Sequence, residues 1–227
     1  MLKLTYHSHS CFSLSDGDKN IIIDPFLTDN PLAEIKREEV KVDAVLLTHG
    51  HGDHLGDGID IAKANDALII APFELATYCE GKGAKVHAMH IGGSYDFPFG
   101  RVTLTIAHHG SGLPTENGII YLGSPCGFVV RMDNKNIYHA GDTGLFYDMK
   151  LIGELYPLDL ALLPIGGNFT MGIMEALKAV ELLSPKAVIP MHYNTFDVIE
   201  QNPEDFTSRL PSSVSSKILK PGENYEF

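Results

Sequence analysis

The segment Thr48-His49-Gly50-His51-Gly52-Asp53-His54 places three imidazoles and one carboxylate within six positions. Imidazole nitrogen and carboxylate oxygen are donors that zinc, manganese and iron(II) accept. Glycine occupies both spacers, and glycine permits backbone angles that other residues resist. A tight loop there can turn alternate side chains toward one point. A polar loop with incidental histidines is a poor alternative, because ligand-type residues, glycine spacers and the end of an apolar run coincide. No Ser-His-Asp or Cys-His set is evident, and no nucleophile-elbow motif appears. The chemistry indicated is that of a metal site, where a metal-bound water could act as nucleophile without any side-chain nucleophile.

Short apolar runs must position these residues. Ile21-Ile22-Ile23 ends at Asp24-Pro25, and Ala44-Val45-Leu46-Leu47 ends at Thr48-His49. Ala67-Leu68-Ile69-Ile70, Val102 to Ile106, Leu160 to Leu163 and Ala187-Val188-Ile189 follow the same rule. Asp133-Asn134-Lys135-Asn136 separates Phe128-Val129-Val130 from Ile137-Tyr138 and predicts a hairpin turn. Runs without alternation predict strands buried on both faces. Met171 to Leu183 predicts a helix with Met174, Leu177, Val180 and Leu183 on one side. Shorter helices are expected over 57–64 and 72–81. Polar residues gather just after strands, at Asp24, His49, His109, Asp142 and His192, where rigid scaffolds present catalytic side chains. Strands first, then strands and helices alternating, predict a layered α/β sandwich. No linker tract divides the chain, so one domain over 1–227 is expected.

The bulk composition restricts the function. With 17 basic and 29 acidic residues the formal net charge is −12, and no Lys/Arg cluster exceeds Lys36-Arg37. Nucleic acid is therefore a poor substrate candidate. Cys11, Cys79 and Cys126 form no CxxC pair, which predicts a reducing compartment and argues against a zinc ribbon. The N-terminus lacks a signal-peptide core, and no apolar stretch approaches the ~20 residues that span a bilayer. A cytoplasmic protein is expected, with no membrane partner, a small-molecule substrate and room for a homo-oligomer.

The HxHxDH pattern at 49–54 resembles that of the metallo-β-lactamase superfamily. The resemblance implies a four-layer αβ/βα sandwich with its site at one edge of two sheets. It implies that His49 and His51 bind one metal while Asp53 and His54 bind a second, Asp53 being also the expected catalytic residue. Asp142, in Ala140-Gly141-Asp142-Thr143, matches the bridging aspartate, and His192 matches the last histidine. Two divalent transition-metal ions are thus implied, zinc first, with manganese or iron as alternatives. They would hold a bridging hydroxide as the attacking group. Asp142 stands where classical zinc β-lactamases use cysteine, which favours phosphodiesterase, lactonase and glyoxalase II chemistry over β-lactam hydrolysis.

A third histidine is expected from His108-His109. Alternation along 102–106 places the two on opposite faces but does not say which face meets the metals. The superfamily pattern of Ala, any residue, His, small residue falls on Ala107-His108-His109-Gly110 and selects His109. Further segments resemble a prokaryotic family of metal-dependent hydrolases: Tyr6-His7-Ser8-His9-Ser10, Ile23-Asp24-Pro25-Phe26, Tyr138 to Thr143, Leu163 to Gly172 and His192 to Phe196. That family is related to the L-ascorbate-6-phosphate lactonases and, more distantly, to N-acylphosphatidylethanolamine phospholipase D. The expected reaction is hydrolysis of a small phosphodiester or lactone, with a glyoxalase II-like thioesterase or a nuclease as alternatives. Asp24 and His9 are candidates to support ligands, and Asn168, Tyr193 and Asn194 to contact substrate.

Overall fold

The computed structural model describes residues 1–227. The first half runs β1 (Lys3–Tyr6), β2 (Phe12–Ser15), β3 (Asn20–Ile23), β4 (Ala44–Leu46), α1 (Gly52–Leu55), α2 (Gly58–Asn65), β5 (Leu68–Pro72), α3 (Phe73–Gly81) and β6 (Lys85–Met89). The second half begins with β7 (Ser94–Phe97), β8 (Gly100–Ile106), β9 (Gly112–Thr115), β10 (Gly118–Tyr121), β11 (Cys126–Met132) and β12 (Lys135–His139). It continues with α4 (Met149–Leu155), β13 (Leu160–Pro164), α5 (Ile173–Leu183), β14 (Ala187–Met191), α6 (Pro203–Thr207), β15 (Ser215–Ser216) and β16 (Asn224–Glu226). Two seven-stranded sheets result, ordered β16-β1-β2-β3-β4-β5-β6 and β15-β14-β13-β12-β11-β8-β7.

The period-2 geometry of a strand explains the layering. In the first sheet Ile21, Ile23, Ala44, Leu46 and Ile70 face a core shared with the second sheet. Their neighbours Ile22, Val45, Leu47, Ile69 and Ala71 face a separate core with Leu75, Ala76 and Cys79 of α3. These central strands are apolar at every position because both faces are covered. Helices α2 and α3 pack on the first sheet, and α4 and α5 pack together beside the second. The architecture is the expected four-layer α/β sandwich.

Strand direction puts the chemistry at one edge. β3 and β4 are parallel, so Asp24 and His49 leave the first sheet on the same side. β8 and β12 are each antiparallel to β11, and β12, β13 and β14 run parallel. The C-terminal ends of β8, β12 and β14 therefore also share an edge, and His109, Asp142 and His192 follow them.

Two local expectations need correction. The buried face of α5 is Ala176, Ala179, Val180 and Leu183, while Met174 is exposed, its sulfur against the Arg209 guanidinium. Leu177 is only partly buried. Spacing alone did not separate these stripes, because small alanines let the helix lie close to its sheet. The glycine spacers of the motif also act otherwise than expected. Neither Gly50 nor Gly52 has positive φ. A Cβ on Gly50 would lie 2.6 Å from Leu122 Cδ1, and Gly52 opens α1 with free space around it. Gly50 is needed for close approach rather than for backbone freedom.

Candidate metal centre

The first four ligand-type residues follow β4. His49 is completely buried, His51 is half-buried, and α1 then carries Asp53 and His54. His49 Nε2 lies 3.0 Å from His51 Nδ1, and His109 Nε2 lies 3.2 Å from the same atom. On the other side His54 Nε2 and His192 Nε2 are each 4.0 Å from Asp53 Oδ2. Asp142 lies between the two groups: Oδ1 is 3.2 Å from His54 Nε2, and Oδ2 is 2.9 Å from His192 Nε2 and 3.5 Å from His109 Nε2. All seven expected residues therefore converge. His108 stays outside. It is exposed and stacks on Phe146 with ring centroids 5.0 Å apart. The alternation of β8 ends at Ile106, which is 39% exposed although Val102 and Leu104 are buried.

The surroundings set the imidazole tautomers. Asp24 is wholly buried, and its Oδ2 accepts from His54 Nδ1 (2.8 Å) and from the Thr48 hydroxyl (2.6 Å). Having spent its proton, Thr48 Oγ1 accepts from His49 Nδ1 at 2.9 Å. Both rings thus turn Nε2 toward the cluster, which is the nitrogen a metal ion would take. His9 donates from Nε2 to Asp53 Oδ2 (3.1 Å) and takes Thr195 Oγ1 at Nδ1 (2.9 Å). Both nitrogens of His9 are engaged, so it orients Asp53 instead of competing for a cation. His139 accepts the Gly141 N–H at Nδ1 and donates from Nε2 to Ser10 O, tying the Asp142 loop to the His9 loop.

Electrostatics follow from this packing. Burial pushes His49 well below its ordinary value and lowers His51 and His109. Burial would also lower His54, but Asp142, Asp24 and Asp53 outweigh it and hold its pKa high. Burial alone would raise Asp142, yet His192 and His54 hold it well below the usual carboxylate range. Several buried polar atoms have no hydrogen-bond partner: His54 Nε2, Asp142 Oδ1 and both ring nitrogens of His192. Orphaned donors and acceptors of this kind are costly. Three of the four, His54 Nε2, Asp142 Oδ1 and His192 Nε2, lie within the cluster. Cations bound among them satisfy those atoms, so the donor set fits transition metals.

Backbone conformation contributes too. Ser8, His9, Asp24, Asn168, His192 and Asn194 all have positive φ. Non-glycine residues adopt that region at a cost that surrounding structure must hold in place, and such residues gather at functional sites. Gly141 has φ +62°, and a Cβ there would lie 2.5 Å from Cys126 O.

The remaining expected contacts separate. Asn168 is exposed. Asn194 Oδ1 accepts the Gln201 N–H at 2.7 Å and shapes its own loop. Tyr193 is buried, which pushes its hydroxyl up to about 12. Sequence reasoning assigned no role to Thr48, Thr195, Ser111 or Phe196. Thr48 is adjacent to His49 and was legible as part of the motif. Ser111, whose Oγ accepts the Gly50 N–H at 3.0 Å, is 61 positions from its partner and carried no local signal.

Comparison with known proteins points to a family of metal-dependent hydrolases. Residues 3–192 match the model of a beta-lactamase superfamily domain. The chain is 57% identical over 229 residues to a UPF0173 metal-dependent hydrolase of Pelotomaculum thermopropionicum, covering 100% of both. It is 56% identical over 228 residues to the UPF0173 metal-dependent hydrolase YtkL of Bacillus subtilis, again over 100% of both. Igni18, a metallo hydrolase of the archaeon Ignicoccus hospitalis, superposes with a TM-score of 0.90 at 39% identity, covering 100% of this chain and 99% of that one.

Proposed function

This chain belongs to the UPF0173 metal-dependent hydrolases of the beta-lactamase superfamily, and from that premise we propose that it cleaves a small ester-like substrate, a phosphodiester or lactone, at a two-ion site. His49, His51 and His109 would hold one ion, Asp53, His54 and His192 the other, with Asp142 between them. The observation that supports this reading most is the reach of Asp142, whose two oxygens lie within 3.5 Å of His54, His109 and His192. A donor set of nitrogen and oxygen without thiolate suits zinc first, and manganese or iron(II) as well.

Bound ions of this kind supply a water-derived nucleophile near neutral pH and Lewis-acid activation of the substrate oxygen. The chain's own residues supply the rest. Asp24 and Thr48 keep His49 and His54 in the ligating tautomer. His9 and Thr195 hold Asp53 facing the cluster. Asp53 is the candidate for proton handling, because its side chain is 28% exposed while Asp142 is almost covered. The three cysteines are buried and free, which suits a cytoplasmic protein and leaves no thiol nucleophile at the surface.

The test is elemental analysis of wild type and Asp142→Asn after zinc or manganese loading, followed by assays on phosphodiester, lactone and thioester panels. Two ions per wild-type chain and loss of ions and turnover in the variant are expected. A ceiling of one ion in wild type refutes the two-ion arrangement.

A further inference from the structure

The segments around the cluster are 7–11, 24–31, 48–58, 107–123, 140–149, 165–173 and 192–201, and none contains a lysine or arginine. Their exposed charges are acidic: Asp29, Glu116, Asp148, Asp197 and Glu200. Two cations that border these segments are already paired. Arg37 is held by Glu38, Asp57 and Asp60, and Lys150 by Glu154. A phosphodiester stays anionic throughout its hydrolysis and is ordinarily gripped by Arg or Lys in addition to any metal. Here it would cross an acidic rim without such help. A carboxylic ester arrives neutral.

Apolar groups stand where those cations are missing. His9, which touches Asp53, meets two phenyl rings, Phe26 at 5.8 Å and Phe196 at 5.5 Å between centroids. Phe26 is buried, whereas Phe196 is 38% exposed. Phe196 is also held in place. Thr195 binds His9, and the Phe196 carbonyl accepts the Ile199 N–H at 3.0 Å. Across the cluster the β9–β10 hairpin starts beside His51: Ser111 binds the Gly50 N–H, and a Cβ on Gly110 would lie 3.6 Å from His51 Nε2. That hairpin exposes Ile119, Ile120 and Tyr121.

We propose that the site takes an uncharged carboxylic ester or lactone with an apolar body laid against Phe196, and turns phosphodiesters away. The inference rests on the hydrolytic reading above and narrows its substrate class. A fixed, half-exposed ring offers an apolar body a surface at little conformational cost, since the ring is already ordered. The acidic rim opposes an anionic substrate, and salt screens that opposition.

The experiment uses zinc-loaded protein, 4-nitrophenyl acetate, 4-nitrophenyl hexanoate and bis(4-nitrophenyl) phosphate, with N-benzylhexanamide as an uncleaved neutral probe followed by saturation-transfer NMR. The hexanoate should exceed the acetate in kcat/KM by about tenfold, as a few buried methylenes allow. Phe196→Ala should raise KM for the hexanoate and shrink that ratio, and Phe196→Leu should restore part of it. The diester should be the poorest substrate, and its rate should rise with sodium chloride while the ester rates stay level. Amide binding should weaken about tenfold in Phe196→Ala, the counterpart of ~1.4 kcal/mol. Faster turnover of the diester than of the hexanoate overturns the proposal, as does equal amide binding by wild type and Phe196→Ala. Amide binding that depends on Phe196 in a protein hydrolysing none of the three supports the apolar wall and refutes the hydrolytic reading instead.

Discussion

His109 and His108 are neighbours in sequence with opposite surroundings: His109 Nε2 lies 3.2 Å from His51 Nδ1, and His108 stacks outside on Phe146. His109→Ala should therefore lose metal and at least ~100-fold in turnover, since even residues that only support ligands cost 10–100-fold. His108→Ala should keep both, and metal content of the purified variants decides between them. Asp24→Asn probes the supporting layer. It removes the carboxylate that holds His54 Nδ1, and metal affinity should drop about 10–100-fold in a competition with a chromophoric chelator. His7 makes a separate prediction. Burial pushes its pKa from 6.5 down to about 4, with Nε2 on Ser13 Oγ at 2.6 Å. Below about pH 6.5 the unfolded chain takes up a proton that the folded chain refuses until about pH 4, so stability falls with acid across that window by up to ~3 kcal/mol. The denaturation midpoint of metal-free His7→Asn should fall less steeply between those pH values than that of wild type; parallel curves contradict the assignment.

At the level of elements, the loops after β12 and inside α5 carry most risk. Gly141→Ala would force a positive φ and a Cβ against Cys126 O, so a loss of about 2 kcal/mol or more is expected together with weaker metal binding, because Asp142 follows directly. Chemical denaturation and metal titration of the same variant test both halves. On α5, Leu183 is fully buried and Met174 is 59% exposed. Leu183→Ala should cost about 2–5 kcal/mol in urea, and Met174→Ala within ~0.5 kcal/mol. Similar costs at the two positions would mean that the helix presents its other face. The hairpin at 133–136 illustrates the reverse case. Asp133 and Asn134 both adopt positive φ there, as a tight two-residue turn demands.

For the whole molecule, the cluster joins two sheets that share an apolar core and a few hydrogen bonds between their edge loops, such as that from His139 to Ser10 O. His49, His51, Asp53 and His54 follow a strand of the first sheet, and His109, Asp142 and His192 follow strands of the second. Ions bound across that edge link the halves and favour the folded state. At a thousandfold excess over Kd one site adds ~4 kcal/mol. Removal of metal with a chelator should lower the melting temperature of wild type and change Asp142→Asn little. An unchanged wild-type midpoint would show that the ions contribute nothing to the joint. No helix is long and apolar enough to cross a membrane, and the formal net charge is −12.

Much of this was legible in the chain itself. The apolar triplets of β3, β4 and β13, the turn at 133–134 and the ligand types at 49–54 are local patterns, and local sterics and burial govern them. The tertiary structure decided what depends on distance along the chain. The tautomer of His49 is set by Asp24 through Thr48, His9 is locked by Thr195 across 186 positions, and Phe196 stands beside the cluster because its loop folds back on His9. The buried face of α5 was misjudged because Met174 fits a helical period as well as Ala176 does, and only packing against the sheet distinguishes them. β1 and β16 pair, with Lys3 opposite Glu226 at the far end of the chain, a juxtaposition that no local pattern encodes. Periodicity specifies which side chains want burial; which strand end meets which is fixed by closing two sheets on one core, and the chemistry of this chain lies at that closure.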